Sequence, residues 1–323
     1  FEGDAHDWFV WHDGYPFEHF EEQIPRFMSE FGFQSFPSYE AIRYFTTLDS
    51  IDLNHHSFKT HQKHNRGFSL IQEYMERDFP VPNKDEDYVY VSQLLQAYGI
   101  IKGIHAHRRA KPYNMGTLYW QLNDCWPVVS WSGIDGLGYW KALQYKVKKA
   151  FENVLISTST SNNSVFISLI NDSLMPIEDT LSIVVKDFRG TILENKKELV
   201  RIGKNSNSIV ASYPLSESLK MNNTFLQIDF GSIEHIHFFT NPKNLILEAG
   251  NIRIEKYKVD DGFLIELYSE ILQKDVCLKI DKKGNFSDNF FDLLPKTVKK
   301  IHFLTKSDSI DVKIISLNKF LVQ

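Results

Sequence analysis

With 323 residues, 42% hydrophobic and 24% charged, the chain has ordinary globular composition and enough length for two or three cores. A formal net charge of −5 and a pI near 6.2 exclude the basic footprint of a nucleic-acid binder. No run of 18 apolar residues occurs, so no helical membrane span is expected. The two cysteines, Cys125 and Cys277, are too far apart to read as a disulfide framework.

The chain starts FEGDAHDW, without an initiator Met or a signal-peptide pattern, and is therefore expected to be a piece of something longer. GDAHDWFVWHDGYPF (3–17) crowds His6, Trp8, Trp11 and His12 among acidic residues. In PRFMSEFGFQS (25–35) a carboxylate, Glu30, stands at the centre of a short β-rich run. Burying a carboxylate without a partner is costly, so Glu30 either pairs, with Arg26 or a distant Lys, or performs chemistry. SYEAIRYFTT has helical spacing with Ser38 as N-cap and Glu40 in the first turn. HQKHNRGFSLIQEYMERDF follows, with Leu70, Ile71, Tyr74 and Met75 on one face, and then a further helical run, DYVYVSQLLQAYGIIKGIHAHRRA. MGTLYWQL (115–122) reads as a second strand, and WKALQYKVKKAF (140–151) as a closing helix with a basic last turn. Strand–helix–strand–helix order implies an α/β unit with parallel strands, and two strands imply the tail of a larger barrel.

All six Trp (8, 11, 120, 126, 131 and 140) lie at or before position 140, and the composition shifts near residue 152. From there SVFISLIND, TLSIVVKDFRGTIL, NIRIEKYKVDDGFLIELYS and DVCLKIDK read as short strands separated by turn signals, with room for two β-sandwiches and a break near Asn241-Pro242. The expected division is a barrel portion over 1–151, a sandwich over 152–243 and a second over 244–323. Two other features read as structural. His55, His56, His61 and His64 lack regular metal-ligand spacing and read as a solvated helix face. His105 and His107 read as flanking the entry to the second strand, and Trp126, Trp131 and Trp140 are candidates for core filler.

Flat Trp faces complement the C–H face of a sugar ring, and neighbouring His, Asn, Asp and Gln can hydrogen-bond hydroxyls. FMSEFGFQSFPS together with MGTLYWQLNDCWPVVSWSGIDGLGYWKALQYKVKKAF resembles the β-mannosidase branch of glycoside hydrolase family 2, as do GDAHDW and the HQK stretch; FSDNFFDLLP resembles part of that branch's C-terminal sandwich. The likeness is continuous over about residues 1–155. It implies the C-terminal part of a (β/α)8 TIM barrel followed by two immunoglobulin-like β-sandwich domains. It further implies that Glu30, in the family's S-E-F-G motif, is the catalytic nucleophile, and that Trp120, in Y-W-Q-L-N-D, lines the sugar subsite. His6 and Trp8 match pocket residues, while His12 falls where members vary, some having Tyr. Asn123 and Asp124 would shape the pocket floor, with a structural ion pair as the alternative for Asp124.

Retaining glycosidases place a nucleophile and an acid/base carboxylate about 5–5.5 Å apart. In this family the acid/base Glu follows an Asn upstream of the nucleophile, and this sequence contains no Asn-Glu pair. The resemblance therefore implies an exo-acting enzyme on terminal β-mannose, with the acid/base outside the chain and the chain inactive alone. The implied partner is a β-mannoside oligosaccharide or glycan, and no cofactor or metal is needed because two carboxylates suffice. By family analogy the setting is periplasmic, secreted or lysosomal. Two other readings stay open: a β-galactosidase or β-glucuronidase of the same family, and a second half acting as a carbohydrate-binding module rather than as a brace or homodimer contact.

Overall fold

The computed structural model describes residues 3–321. The chain forms two compact units: one runs up to Ser182 and includes 197–218 and 228–235, and the other comprises 183–196, 219–227 and the residues from Ile236 onward.

The first unit begins as an α/β region. Ala5–Asp7 and Met28–Phe31 pair as parallel strands, with His6 opposite Glu30 and Asp7 opposite Phe31. On the other edge of Met28–Phe31 runs the segment expected as the second strand. It makes one parallel bridge, Met28 with Thr117, and the hydrogen bonds Met28 N to Gly116 O, Leu118 N to Met28 O and Trp120 N to Phe31 O. The segment is thus extended beside the central strand without being a regular strand. At Gln121 the chain leaves for a new partner, its N–H bonding Trp131 O instead. The strand Ala5–Asp7 was not legible as one, since three residues are too short for a periodic signal.

The helices follow their local chemistry. Tyr39–Phe45 is capped by Ser38, whose side chain accepts from Ala41 N. Gly67–Asp78 buries Leu70, Ile71, Tyr74 and Met75, the face expected from spacing. Asp85–Arg109 starts with Asp85, Glu86 and Asp87 and ends with His107, Arg108 and Arg109, complementing the helix dipole at both ends. It buries residues all round its circumference and so packs centrally. His105 and His107 belong to the last turns of this helix, and His107 Nδ1 reaches Thr117 Oγ1 at 2.8 Å. The four other histidines form no single solvated face: His55 caps the short helix His56–Thr60, His61 stacks on Phe45, and His64 packs on Trp11. The region closes with the helix Ala142–Ala150.

Beyond it the chain is β. Val154–Ser161, Ser164–Asn171 and Ser206–Pro214 form an antiparallel sheet. A second sheet has the order Ile192–Ile202, Ile177–Asp187, Thr224–Phe230, Ile233–Phe238. The C-terminal stretch repeats this arrangement. One sheet has the order Arg253–Val259, Gly262–Tyr268, Val298–Leu304, Asn285–Phe286, and the other Phe291–Leu293, Gln273–Ile280, Val312–Ile315. Their facing residues, among them Ile265, Leu267, Val276, Leu278, Phe291 and Phe303, make one apolar core. Gly262 adopts φ +153° where an added Cβ would lie 2.1 Å from Phe303 O, so the hairpin accepts no side chain there.

Candidate active site

Side chains alternate across a strand, so Phe31 and Glu30 leave the central strand on opposite sides. Phe31 is fully buried, its ring 5.1 Å from both Phe20 and His107. The Glu30 side chain keeps 30% exposure. Its Oε2 accepts from Trp8 Nε1 at 3.3 Å and lies 3.6 Å from His6 Nδ1. His6 is close because parallel register sets it opposite Glu30. On its far side His6 Nε2 lies 3.6 Å from Asp4 Oδ2, which also accepts from Ser29 Oγ at 2.7 Å. The Ser29 hydrogen bond holds the Asp4 carboxyl below the usual carboxylate range. Glu30 is thus paired with Trp8 and His6 and not with Arg26, whose guanidinium lies 5.6 Å over the Tyr113 ring.

Trp8 stands between the strand Ala5–Asp7 and the short helix Phe9–Asp13, in contact edge-on with Trp131 (6.1 Å between ring centroids) and tilted against His12 (5.8 Å). Gly32 makes this convergence possible. A Cβ there would lie 2.5 Å from Trp120 O, 3.1 Å from Trp131 Cδ1 and 3.2 Å from Trp8 Cη2. Two residues past the carboxylate, three tryptophans therefore close on a position that tolerates only hydrogen. Trp120 itself is 42% exposed, anchored through its N–H to Phe31 O.

The remaining expected residues divide. His12 is exposed and lies between Trp8 and His64, whose rings are 5.8 and 5.3 Å away. Burial, with help from His12 and Arg66, lowers the His64 pKa. Asn123 is exposed and its Nδ2 turns to Asp124 O at 3.3 Å, a local contact away from Glu30. Asp124 is buried in an ion pair with Lys63 Nζ at 2.6 Å and also accepts from Ser130 Oγ. It is the structural pair that the sequence left open as its alternative. Of the three tryptophans considered as core filler, Trp126 and Trp140 are 37% and 38% exposed and Trp131 is half-buried; the fully buried one is Trp11. Trp131, Gly32 and Ser29 were missed as site residues. The small residues flanking Glu30 in S-E-F-G were the available signal for Ser29 and Gly32, whereas Trp131 lies about a hundred positions away with no local signal.

A part-exposed carboxylate in a short strand, bonded by one indole and lying beside an imidazole, with two further tryptophans closing on the glycine two positions on, offers the aromatic and polar groups that sugar recognition uses. Residues 163–249 match a family described as mannosidase Ig/CBM-like domain, and residues 247–318 one described as an Ig-fold domain. The β-region thus comprises two Ig-like β-sandwich domains. The chain is 28% identical to a β-mannosidase of Capra hircus, over 84% of this chain and 34% of that protein. It is 24% identical to β-mannosidase A of Aspergillus terreus, over 94% of this chain and 38% of that protein. The crystal structure of a β-D-mannosidase from Dictyoglomus thermophilum superposes with a TM-score of 0.89 at 28% identity, covering 96% of this chain and 40% of that one. The chain thus spans between a third and two fifths of the length of these relatives.

Proposed function

With the chain a homologue of the β-mannosidases of glycoside hydrolase family 2 over their C-terminal portion, we propose that it carries the nucleophile half of a retaining exo-β-mannosidase site. Glu30 attacks the anomeric carbon of a terminal β-mannosyl residue and forms a glycosyl ester. A second carboxylate, outside this chain, protonates the departing oxygen and then activates the water that cleaves the ester with retention. The observation that carries this reading is the one-sided hold on Glu30. Trp8 and His6 both engage Oε2, which among the described residues leaves Oε1 to attack. Trp120 and Trp8 offer flat faces to the sugar ring, with His12 at the rim. No cofactor enters the scheme.

The test uses a polypeptide in which this chain continues upstream as its relatives do, treated with 2-deoxy-2-fluoro-β-mannosyl fluoride and mapped by peptide mass. A label on the peptide containing FMSEFGF is the expected result. Labelling only by the galactosyl or glucuronyl analogue would overturn the substrate and keep the mechanism, while no label from any analogue would overturn both. The 323-residue chain alone should leave aryl β-mannosides unhydrolysed, and easily measured turnover would contradict the placing of the acid/base outside it.

A further inference from the structure

Gln96 sits midway along Asp85–Arg109 with no solvent exposure. Its Nε2 donates to Phe33 O at 2.8 Å and to Trp131 O at 2.9 Å, with Ser132 O at 3.3 Å, and its Oε1 accepts from Ser35 Oγ at 2.6 Å. The amide orientation is fixed from outside. Lys141 Nζ donates to Ser35 Oγ at 3.0 Å, so the serine hydrogen is directed at Gln96 Oε1 and the NH2 is directed at the carbonyls.

This single side chain bonds the backbone three residues beyond Glu30 and the backbone of Trp131. Trp131 O also accepts from Gln121 N at 3.2 Å, beside Trp120, whose own N–H goes to Phe31 O. The Trp131 ring meets the edge of Trp8, and Trp8 donates to Glu30. We propose that Gln96 is a positioning residue for the Glu30 site: its buried amide sets the spacing of the Trp131 segment from the nucleophile strand, and through Trp131 the placement of Trp8 on the carboxylate. Methionine or leucine would fill the same helix position without the cost of burying an amide. What the amide adds is a side-chain tie at Phe33 and Trp131, beside the isolated antiparallel bridge of Ser35 with Ser130 that joins the same two segments through Ser35 N to Ser130 O at 3.1 Å and Ser130 N to Ser35 O at 3.4 Å. The consequence for turnover rests on the β-mannosidase reading; the geometric part does not.

The test compares Gln96→Met and Gln96→Glu with wild type in the upstream-continued polypeptide. Each variant is first checked for cooperative unfolding, then followed by near-UV circular dichroism and by kcat and KM on an aryl β-mannoside across pH. Gln96→Met keeps the volume and loses the donors. It should change the near-UV tryptophan signal and lower kcat by about 10- to 100-fold, with KM within about threefold, as misplacement of a reacting group does. In Gln96→Glu only the protonated acid can donate to Trp131 O, so its kcat relative to wild type should climb as pH falls. With the folded fraction measured at each pH, a purely structural role would not produce that climb. Wild-type kcat and near-UV signal in both variants would overturn the proposal, and so would a Gln96→Glu ratio flat in pH. Should Gln96→Met fail to fold, the pH profile of Gln96→Glu decides alone. Absence of wild-type turnover would sink the β-mannosidase reading only, and the near-UV comparison would still decide for or against Gln96.

Discussion

In the C-terminal sandwich, Gly262–Tyr268 and Val298–Leu304 send Phe263, Ile265, Leu267, Ile301 and Phe303 into one apolar cluster. Its buried ions, Lys274 and Asp275, pair with each other at 3.0 Å. The α/β region is built differently, burying Asp7, His19, Asp78, His107, Asp124 and Lys141 among its aromatic rings. Lys141 is 1% exposed, and its Nζ donates to Ser35 Oγ and Ser130 O, with no carboxylate in hydrogen-bond contact among the described residues. Desolvation pulls its pKa down to about 8 despite Asp124 and Asp135 nearby. An apolar core is the cheaper construction, because each buried ion must recover its hydration from a partner. The region carrying Glu30 gives up that economy, and its polar side chains add ties between backbones that otherwise meet through isolated bridges and packing. Both regions are stabilised by apolar packing, and the α/β region uses buried polar groups for placement as well.

The comparison breaks most visibly if chemistry and stability turn out to reside in the same residues. Glu30→Gln should abolish turnover of the upstream-continued polypeptide, by on the order of a thousandfold or more, and leave its melting temperature within a degree or two, as expected when a half-exposed nucleophile is replaced by an isostere. A large loss of stability would make Glu30 a structural residue. Ile265→Ala should do the opposite in the sandwich, costing about 2–5 kcal/mol by urea unfolding through the cavity it leaves. A loss under about 1 kcal/mol would mean that this core is looser than its full burial implies.

His107 sharpens the comparison through pH. Burial, reinforced by Arg109, depresses its pKa from 6.5 to about 4. The folded state therefore binds fewer protons than the unfolded one between those values. Its contribution is complete above about pH 6.5 and is lost as pH falls toward 4, by up to roughly 3 kcal/mol. His107→Asn should flatten that part of the stability–pH curve, measured by denaturant titration at pH 7, 5.5 and 4.5, and an unchanged slope would assign the acid sensitivity to other groups. The smallest effect belongs to Ser38→Ala, which removes the cap on Ala41 N and a bond to Asp135 Oδ2, and should cost about 1 kcal/mol. No change in the melting curve would show that solvent replaces the cap.

Much of this was legible from local pattern. The Ser38 cap, the Leu70–Ile71–Tyr74–Met75 face and the hairpin of Arg253–Val259 with Gly262–Tyr268 all follow from spacing and turn chemistry within about twenty residues. The segment 115–122 shows the limit of such pattern. It has the composition of a strand and bonds the central strand at Gly116, Leu118 and Trp120, yet it makes one bridge there and at Gln121 turns to Trp131. Charge was equally opaque. Lys63 reads in sequence as one more cation in a basic stretch, and the fold makes it the partner of a buried aspartate sixty-one positions away.

By itself the sequence determined that a carboxylate lies within a short β run, that tryptophans and histidines crowd the first 140 residues, and that an Ile- and Val-rich series of strands follows. These are properties of neighbouring residues, and the periods of strand and helix encode them directly. Only the tertiary structure decided which oxygen of Glu30 is held, that Trp8 and Trp131 close over Gly32, and that Asp124 turns inward to Lys63. Each of those joins residues from 22 to 123 positions apart, where the deciding quantity is the space left between packed backbones, and no local period records it.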